Sequence, residues 1–432
     1  MGKANLIKKI LFGFILLMLF LPMLQQKMNL VKIKPLHGAI VKIEDSTFTV
    51  ESYLKEDYQQ QKEKYLNSEF GFRSWFIRIN NQIAFDLYNV AKANGVIIGK
   101  ENYLYEDGYI KSYTGENFIG KLQIENNVRK LKQIRDTLKS KNIDLIIVFA
   151  AGKASFYPEF IPAEFLKKKT ITNYEYYLSQ VKQAGFNYID FNKYFIENKH
   201  RSKYPLYPKT GIHWSVYGMA IVADSINSYI AKLRNINAPD MYWNNVICSD
   251  SLSEGDKDIE EGTNLLFSIS NCKMGYPELV FKEEGKQKAR VLTIADSYYW
   301  GIYGSGIAGK LFEKPEFWFY FKEANILGEP TRVISAINIQ QEIEKQDVVI
   351  LMATEASLSK FPWGFIEKAD EIYFNPELKK QRLDKIEQYK HTIRETKEWL
   401  ESIRQKAILT KISLDSMITL DAIYMVDVDE KK

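Results

Sequence analysis

Histidine and cysteine are scarce in this chain of 432 residues. There are four of the first, His37, His200, His213 and His391, and two of the second, Cys248 and Cys272. Two cysteines cannot build a four-cysteine structural zinc site, and no metal site is expected. Any histidine-based catalysis must choose among four residues. No glycine-rich loop has the spacing that cradles a nucleotide phosphate, so no cofactor is expected. Charge of one sign is also scarce. Lys and Arg number 59 against 54 Asp and Glu, too thin a surplus for a dedicated nucleic-acid binder. Internal repeats and low-complexity stretches are missing.

Aromatic residues are plentiful, at 27 Tyr, 25 Phe and 7 Trp. They suit a large core, and they also suit surfaces on which sugar rings stack. With 46% hydrophobic and 26% charged residues, the composition is globular. The length predicts two or three units.

Residues 10–24 are continuously apolar apart from Gly13 and Pro22, and Lys3, Lys8 and Lys9 precede them. A basic start joined to an apolar run is the pattern of an export signal. No small-residue cleavage site comes after it, so residues 1–27 are expected to be an uncleaved signal anchor. A leading apolar segment exports the chain behind it, which places the body on the periplasmic or exterior side of a membrane. Outside the cytoplasm Cys248 and Cys272 could close a disulfide; they could equally remain two separate thiols.

Residues 28–95 read as an extended juxtamembrane stretch to about residue 60, then as a helical region interrupted at Gly71. Residues 96–115 mix β-branched and aromatic residues with glycine and suggest short strands and turns. Beyond them helical and strand patterns alternate. Residues 120–141, 174–184 and 216–233 are amphipathic and helical, and 187–190 is a short strand. Residues 144–151, 289–295 and 347–353 are buried-strand runs of the parallel-sheet kind. The fold class is therefore α/β, a doubly wound, mostly parallel sheet, assigned to residues 96–375. Residues 376–432 form the C-terminal region: 377–407 are highly charged with a helical period, and a helical appendage is expected from Glu377 to Glu430.

Ligand sites of such sheets lie beyond the carboxyl ends of the strands. The strand ending at Ala295 runs into Asp296 and Ser297, followed by Tyr298, Tyr299, Trp300 and Gly301. A serine there could be a nucleophile with its own N–H opening a helix behind it, or Asp296 or Ser297 could be an ordinary helix cap. His213 lies in a turn-rich segment just before a helix, with Trp214 able to wall one side. If Ser297 needs a base, His213 is the best placed of the four histidines. The alternative is a packing or capping residue. At the end of the strand 144–151, Gly152 would let a substrate approach the backbone, with Lys153 and Tyr157 on the same rim. Thr354 and Glu355 end the third strand.

These residues carry a resemblance. The segments 70–73 (FGFR), 98–105 (IGKENYLY), 152–162 (GKASFYPEFIP), 209–215 (KTGIHWS) and 294–300 (IADSYYW) resemble, in order and spacing, the SGNH-hydrolase-like O-acetyltransferases of the alginate-acetylation type. The similarity runs from about residue 60 to 375. It implies a circularly permuted motif order, with the histidine block upstream of the serine block. It implies that Ser297 is the nucleophile and His213 its base. Gly152, Lys153, Tyr157, Tyr298 and Trp214 would serve the oxyanion or the substrate. Two departures stand out. Ala295 replaces the glycine of the serine block, and Gly211 replaces the aspartate two residues before the histidine. A carboxylate to orient the imidazole could come from Asp296 or Glu355, or the pair could act as a Ser-His dyad with no acid.

The function so implied is transfer of acetyl groups to hydroxyls of an exported polysaccharide through an acyl-serine. A separate multi-span membrane acyltransferase would be the donor partner. Two alternatives use the same residues: a carbohydrate esterase in which water accepts the acyl group, and a catalytically impaired scaffold that binds glycan.

Overall fold

The computed structural model describes residues 3–38 and 43–429. Residues 1–2 of the expected anchor, 39–42 of the juxtamembrane stretch and 430–432 of the helical appendage lie outside the described residues. The chain forms two compact units. One comprises Met1–Glu106, Lys209–Gly211 and Lys257–Asn271; the other comprises Asp107–Pro208, Ile212–Asp256 and Cys272–Lys432.

The first unit begins with α1 (Lys3–Met28). Its stretch Asn5–Met28 is long and apolar enough to cross a membrane and is only 6% buried. Extended chain comes next, but not as far as residue 60. Thr49 accepts from the Ser52 N–H in a capping box and opens the short α2 (Val50–Leu54). Then come α3 (Asp57–Glu69) and α4 (Arg73–Tyr88). Gly71 separates them. A Cβ there would stand 1.9 Å from the Pro22 carbonyl oxygen of α1, so only glycine allows that close approach. α4 buries Asn81, Ala84 and Phe85, and the Asn81 amide donates to the Thr263 carbonyl at 2.8 Å. β1 (Val96–Ile98) and β2 (Leu104–Glu106) pair antiparallel.

The second unit opens with α5 (Asp107–Thr114), a helix where strands and turns were expected. Tyr109, Ile110, Ser112 and Thr114 are buried along it. In α6 (Lys121–Ser140) the buried residues Ile124, Val128, Leu131, Ile134 and Leu138 recur every three or four positions, the spacing of one helix face. They pack on β3 (Asp144–Ala150), every residue of which is buried. The helix α7 (Lys153–Phe156) is next, then α8 (Asn173–Gln183), β4 (Asn187–Asp190), α9 (Phe191–Asn198) and α10 (Val216–Arg234).

Two long strands, β5 (Asp240–Ser249) and β6 (Met274–Lys282), form an antiparallel pair of their own that the sequence pattern did not announce. Its register shifts between Trp243 and Val246, across an Asn pair, and half-exposed residues hide the alternation. The register also separates the cysteines. Cys248 faces Gly275, three residues beyond Cys272, roughly 10 Å along a strand and beyond disulfide reach. Of the two alternatives the structure shows the second: the cysteines form no disulfide, and both are exposed.

The main sheet is completed by β7 (Arg290–Ala295), β8 (Glu313–Phe319), β9 (Glu323–Ile326), β10 (Arg332–Val333) and β11 (Val348–Thr354). Its order is β10-β9-β8-β7-β11-β3-β4. The five strands from β8 to β4 run parallel, and β9 and β10 add an antiparallel edge. The three mostly apolar runs, β3, β7 and β11, occupy adjacent central places. Strands buried on both faces need such runs. β7 and β11 therefore end side by side, and Asp296, Ser297, Thr354 and Glu355 collect there. The helices Pro376–Glu395, Lys397–Thr410 and Leu414–Asp429 close the unit around a small core of Ile393, Ile403, Ala407, Met417, Ile418 and Ala422.

Candidate active site

Ser297 is the first residue past Asp296 at the carboxyl end of β7, and it opens a single tight turn, Ser297–Tyr299. Asp296 fixes that turn with both carboxylate oxygens. Oδ1 accepts from the Tyr298 N–H at 3.2 Å. Oδ2 accepts from the Thr354 N–H at 2.8 Å and the Thr354 hydroxyl at 2.7 Å. The ends of β7 and β11 are thereby stitched together under the serine.

His213 comes to Ser297 from the segment before α10. Its Nε2 lies 2.9 Å from Ser297 Oγ, within the range of a nucleophile and its base. Both side chains are half-buried. The other histidines stand elsewhere: His37 faces Glu261 and His391 faces Glu395, and His200 is exposed.

The segment carrying His213 is held from several sides. Ser215 caps α10, accepting from the Gly218 N–H at 3.0 Å and donating to the Pro205 carbonyl at 2.7 Å. The buried Tyr298 hydroxyl donates to the Ile212 carbonyl. Its ring lies 4.7 Å from the His213 ring, centroid to centroid, and is met edge-on by Trp214 at 5.0 Å. Tyr298 thus braces the His213 segment from a buried position. Trp214, 4% exposed, packs among Phe191, Phe195 and Tyr298 and gives no surface to a ligand.

Neither proposed carboxylate reaches the imidazole. Asp296 is engaged by Tyr298 and Thr354 instead. Glu355 is buried against a different element: Asn192 of α9 donates to its Oε1 at 3.0 Å, and Ser155 is a further hydrogen-bonding neighbour. Burial pushes the Glu355 carboxyl up to about 7, against the smaller lowering effects of Ser155 and Asn192. Its Oε2 would lie 2.2 Å from a Cβ on Gly152. Gly152 is therefore required by a protein carboxylate rather than by a substrate. The Lys153 side chain is fully buried and does not face a solvent rim. Tyr157 is half-buried beneath the Lys199 ammonium, 4.7 Å from its ring centroid, and its hydroxyl points to the Tyr207 carbonyl at 3.4 Å.

Tyr320 was not visible in the sequence pattern. It comes just after β8, the parallel neighbour of β7, in a left-handed conformation with φ of 48°. Its N–H donates to the Ala295 carbonyl at 2.9 Å. This turn brings the phenol beside the hydroxyl and backbone N–H of Ser297 and beside Ser357. Burial and then the Asp296 charge raise the phenol above its ordinary range, while the serine neighbours lower it. It stays protonated and able to donate. Its ring meets Trp363 at 5.4 Å and Phe319 at 4.5 Å, and Phe319 meets Trp300 at 5.5 Å. An aromatic ridge of partly exposed rings thus runs past the serine. Among the described residues no group of three or more His, Cys, Asp or Glu could hold a metal ion.

Residues 96–243 match the family described as SGNH hydrolase-like domain, acetyltransferase AlgX. The segment includes His213 and ends before Ser297. A probable alginate O-acetylase AlgJ of Pseudomonas putida is 21% identical over 175 residues, covering 40% of this chain and 44% of that protein. The Azotobacter vinelandii protein of the same description is 23% identical over 171 residues, covering 40% and 42%. The chain thus spans less than half the length of these curated relatives. Among solved structures, the O-acetyltransferase domain of Pseudomonas putida AlgJ aligns over 64% of this chain and 99% of that one, at 15% identity and a TM-score of 0.42. Pseudomonas aeruginosa AlgX aligns over 63% and 67%, at 14% identity and a TM-score of 0.40. Over residues 96–243 the chain is similar to the SGNH hydrolase-like acetyltransferase domain of AlgX.

Proposed function

We propose that the chain is an O-acetyltransferase that moves an acetyl group onto hydroxyls of an exported polysaccharide by way of an acetyl-Ser297 ester. The observation that carries this reading is the 2.9 Å contact between His213 Nε2 and Ser297 Oγ at the carboxyl end of a central parallel strand.

In the first half-reaction His213 Nε2 takes the Ser297 proton as Oγ attacks the acetyl carbonyl. The tetrahedral oxyanion is stabilised by the Ser297 backbone N–H and by the Tyr320 hydroxyl beside Ser297. His213 returns the proton to the departing group, leaving acetyl-Ser297. In the second half-reaction a sugar hydroxyl gives its proton to His213 and attacks the ester, and Ser297 leaves with the proton restored. The ridge of Trp300, Phe319, Tyr320 and Trp363 offers apolar faces on which a sugar ring can lie. α1 anchors the protein in the membrane with its body outside the cytoplasm. One span cannot carry acetyl across a bilayer, so a multi-span membrane acyltransferase supplies it.

The test incubates the full chain with an activated acetyl ester, with and without an acceptor oligosaccharide. Acetylated sugar that disappears in both Ser297→Ala and His213→Ala is the expected result. Free acetate formed at the same rate with or without sugar would make the protein an esterase. No turnover dependent on Ser297 would overturn both readings.

A further inference from the structure

The first unit carries an apolar helix face that the acetyl-transfer site does not use. In α4, Trp75, Ile79, Ile83 and Leu87 recur every fourth residue, the spacing of one helix face, and Phe76 stands beside them. All five are exposed, from 39% at Ile79 to 73% at Leu87. The opposite face is the one that folds into the unit, burying Asn81, Ala84 and Phe85. A row of large apolar side chains in water is unfavourable unless something covers it.

The chain path shows what lies next to it. At the end of α1 the Gln25 amide donates to the Val31 carbonyl at 2.7 Å, and its carbonyl accepts from the Val31 N–H at 3.0 Å. The chain therefore turns immediately after the apolar helix. Arg78 of α4 then donates to the Pro35 carbonyl at 2.9 Å and the Leu265 carbonyl at 3.1 Å. The His37 N–H donates to Asn264 at 2.8 Å. Gly71, at the entry to α4, packs directly on the backbone of Pro22 and Gln26 in α1. α4 is thus fixed to the end of the apolar helix at both the loop and the backbone. Lys27, Lys32 and Lys34 are exposed in the same region, where cations favour anionic headgroups. Trp75 heads the stripe, and tryptophan suits the boundary between headgroups and hydrocarbon.

We infer that α4 is an interfacial helix. It lies on the outer surface of the same bilayer that α1 crosses, with Trp75, Phe76, Ile79, Ile83 and Leu87 in the headgroup–acyl boundary. The occupant of the apolar face is lipid, and the first unit is held by a span and a surface helix together. This rests on the reading of α1 as a membrane span.

The test reconstitutes the full chain in vesicles of phosphatidylethanolamine and phosphatidylglycerol. Cys248 and Cys272 are replaced by serine, and one nitroxide-labelled cysteine is placed by Leu16→Cys, Ile83→Cys or Gln60→Cys. Collision with oxygen is compared with collision with a water-soluble nickel chelate. Leu16 should favour oxygen strongly, the exposed Gln60 of α3 should favour nickel, and Ile83 should favour oxygen at a shallower depth than Leu16. If Ile83 behaves as Gln60 does while Leu16 sits in hydrocarbon, the interfacial helix is wrong and the span stands. An Ile83 label shielded from both reagents means that protein covers the face, which also overturns the inference. Leu16 in water removes the span and the inference with it.

Discussion

Glu355 places its Oε2 where a methyl group on Gly152 would stand, 2.2 Å away. The carboxylate is buried, and Asn192 holds its other oxygen at 3.0 Å, so it has little room to move aside. Gly152→Ala should therefore destabilise the protein by about 1–3 kcal/mol, the range for overpacking a well-filled site. Glu355→Ala in the same chain should recover part of that loss, because the two residues meet directly. Denaturant unfolding of the two single variants and the double variant measures the coupling. Purely additive losses would mean that Gly152 is needed for another reason.

The same carboxyl makes stability depend on pH. Glu355 is raised to about 7, so the folded protein holds this proton more tightly than the unfolded chain does. The stabilisation is fully present below the ordinary carboxylate range and is lost as pH rises through about 7. Glu316 on β8 is also raised to about 7, by burial and then by the charge of Glu342, and acts in the same direction. The wild-type chain should be more stable at about pH 5 than at about pH 8. Glu355→Gln keeps an acceptor for Asn192 and cannot ionise. It should flatten the difference by an amount of order 1–3 kcal/mol, since each tenfold change in proton affinity is worth about 1.4 kcal/mol. Unfolding midpoints at the two pH values check it. An unchanged pH difference in the variant would remove Glu355 from the account.

Much of this was legible in the sequence because burial leaves a plain mark there. β3, β7 and β11 are mostly apolar runs, and such runs fill the middle of a parallel sheet buried on both faces. Ser297 could be read from its place at a strand end, and His213 from the shortage of competing histidines. Asp296 and Glu355 were recognisable as polar strand ends, but their partners were not. Strand order decides partners: β11 lies between β3 and β7, which gives Asp296 to Thr354 and Glu355 to Gly152 and Asn192. Tyr320 left no local signal. Its role depends on a left-handed turn after a parallel neighbour of β7, and nothing in the surrounding aromatic run distinguishes it. β5 and β6 were obscured by half-exposed residues and a register shift.

Asp296 ties two strand ends together, and this differs measurably from acting as the acid of a triad. Asp296→Asn exchanges one acceptor oxygen for a donor, which cannot serve both the Thr354 N–H and the network at Tyr298. Leaving a buried donor unpaired costs about 1–3 kcal/mol, so stability should fall and Ser297 should be less well placed. The pH at which the base titrates in the rate profile should stay where it is, because Asp296 does not touch His213. A marked shift of that pH in Asp296→Asn would assign Asp296 to the imidazole after all.

Tyr298 supports the His213 segment through the backbone next to it. Tyr298→Phe keeps the ring against His213 and Trp214 and removes the hydroxyl, which donates to the buried Ile212 carbonyl and neighbours Tyr207 and Tyr109. Stability should fall by about 1–2 kcal/mol. With the base less well fixed, kcat should drop about tenfold or more. KM should change little, because the buried hydroxyl is out of reach of substrate. Steady-state rates on folded protein decide this, with circular dichroism as the check on folding. An equal loss in KM would make Tyr298 a binding residue.

Tyr320 lies beside the serine, and its removal should act on the transition state alone. Tyr320→Phe preserves the ring contacts with Trp363 and Phe319, and so preserves the ridge on which a sugar would lie. It loses one hydrogen-bond donor beside the Ser297 N–H. Removing one donor from an oxyanion site lowers kcat by about 100-fold or more. Binding of an acceptor oligosaccharide should be unchanged. Because the wild-type phenol is raised above its ordinary range, its ionisation should not shape the rate profile below that range. Comparing kcat, acceptor affinity and pH profile in Tyr320→Phe and Trp363→Ala separates the two roles. The first should lose rate with affinity intact, and the second should lose affinity first. A Tyr320→Phe enzyme with full kcat would leave the oxyanion to the backbone alone.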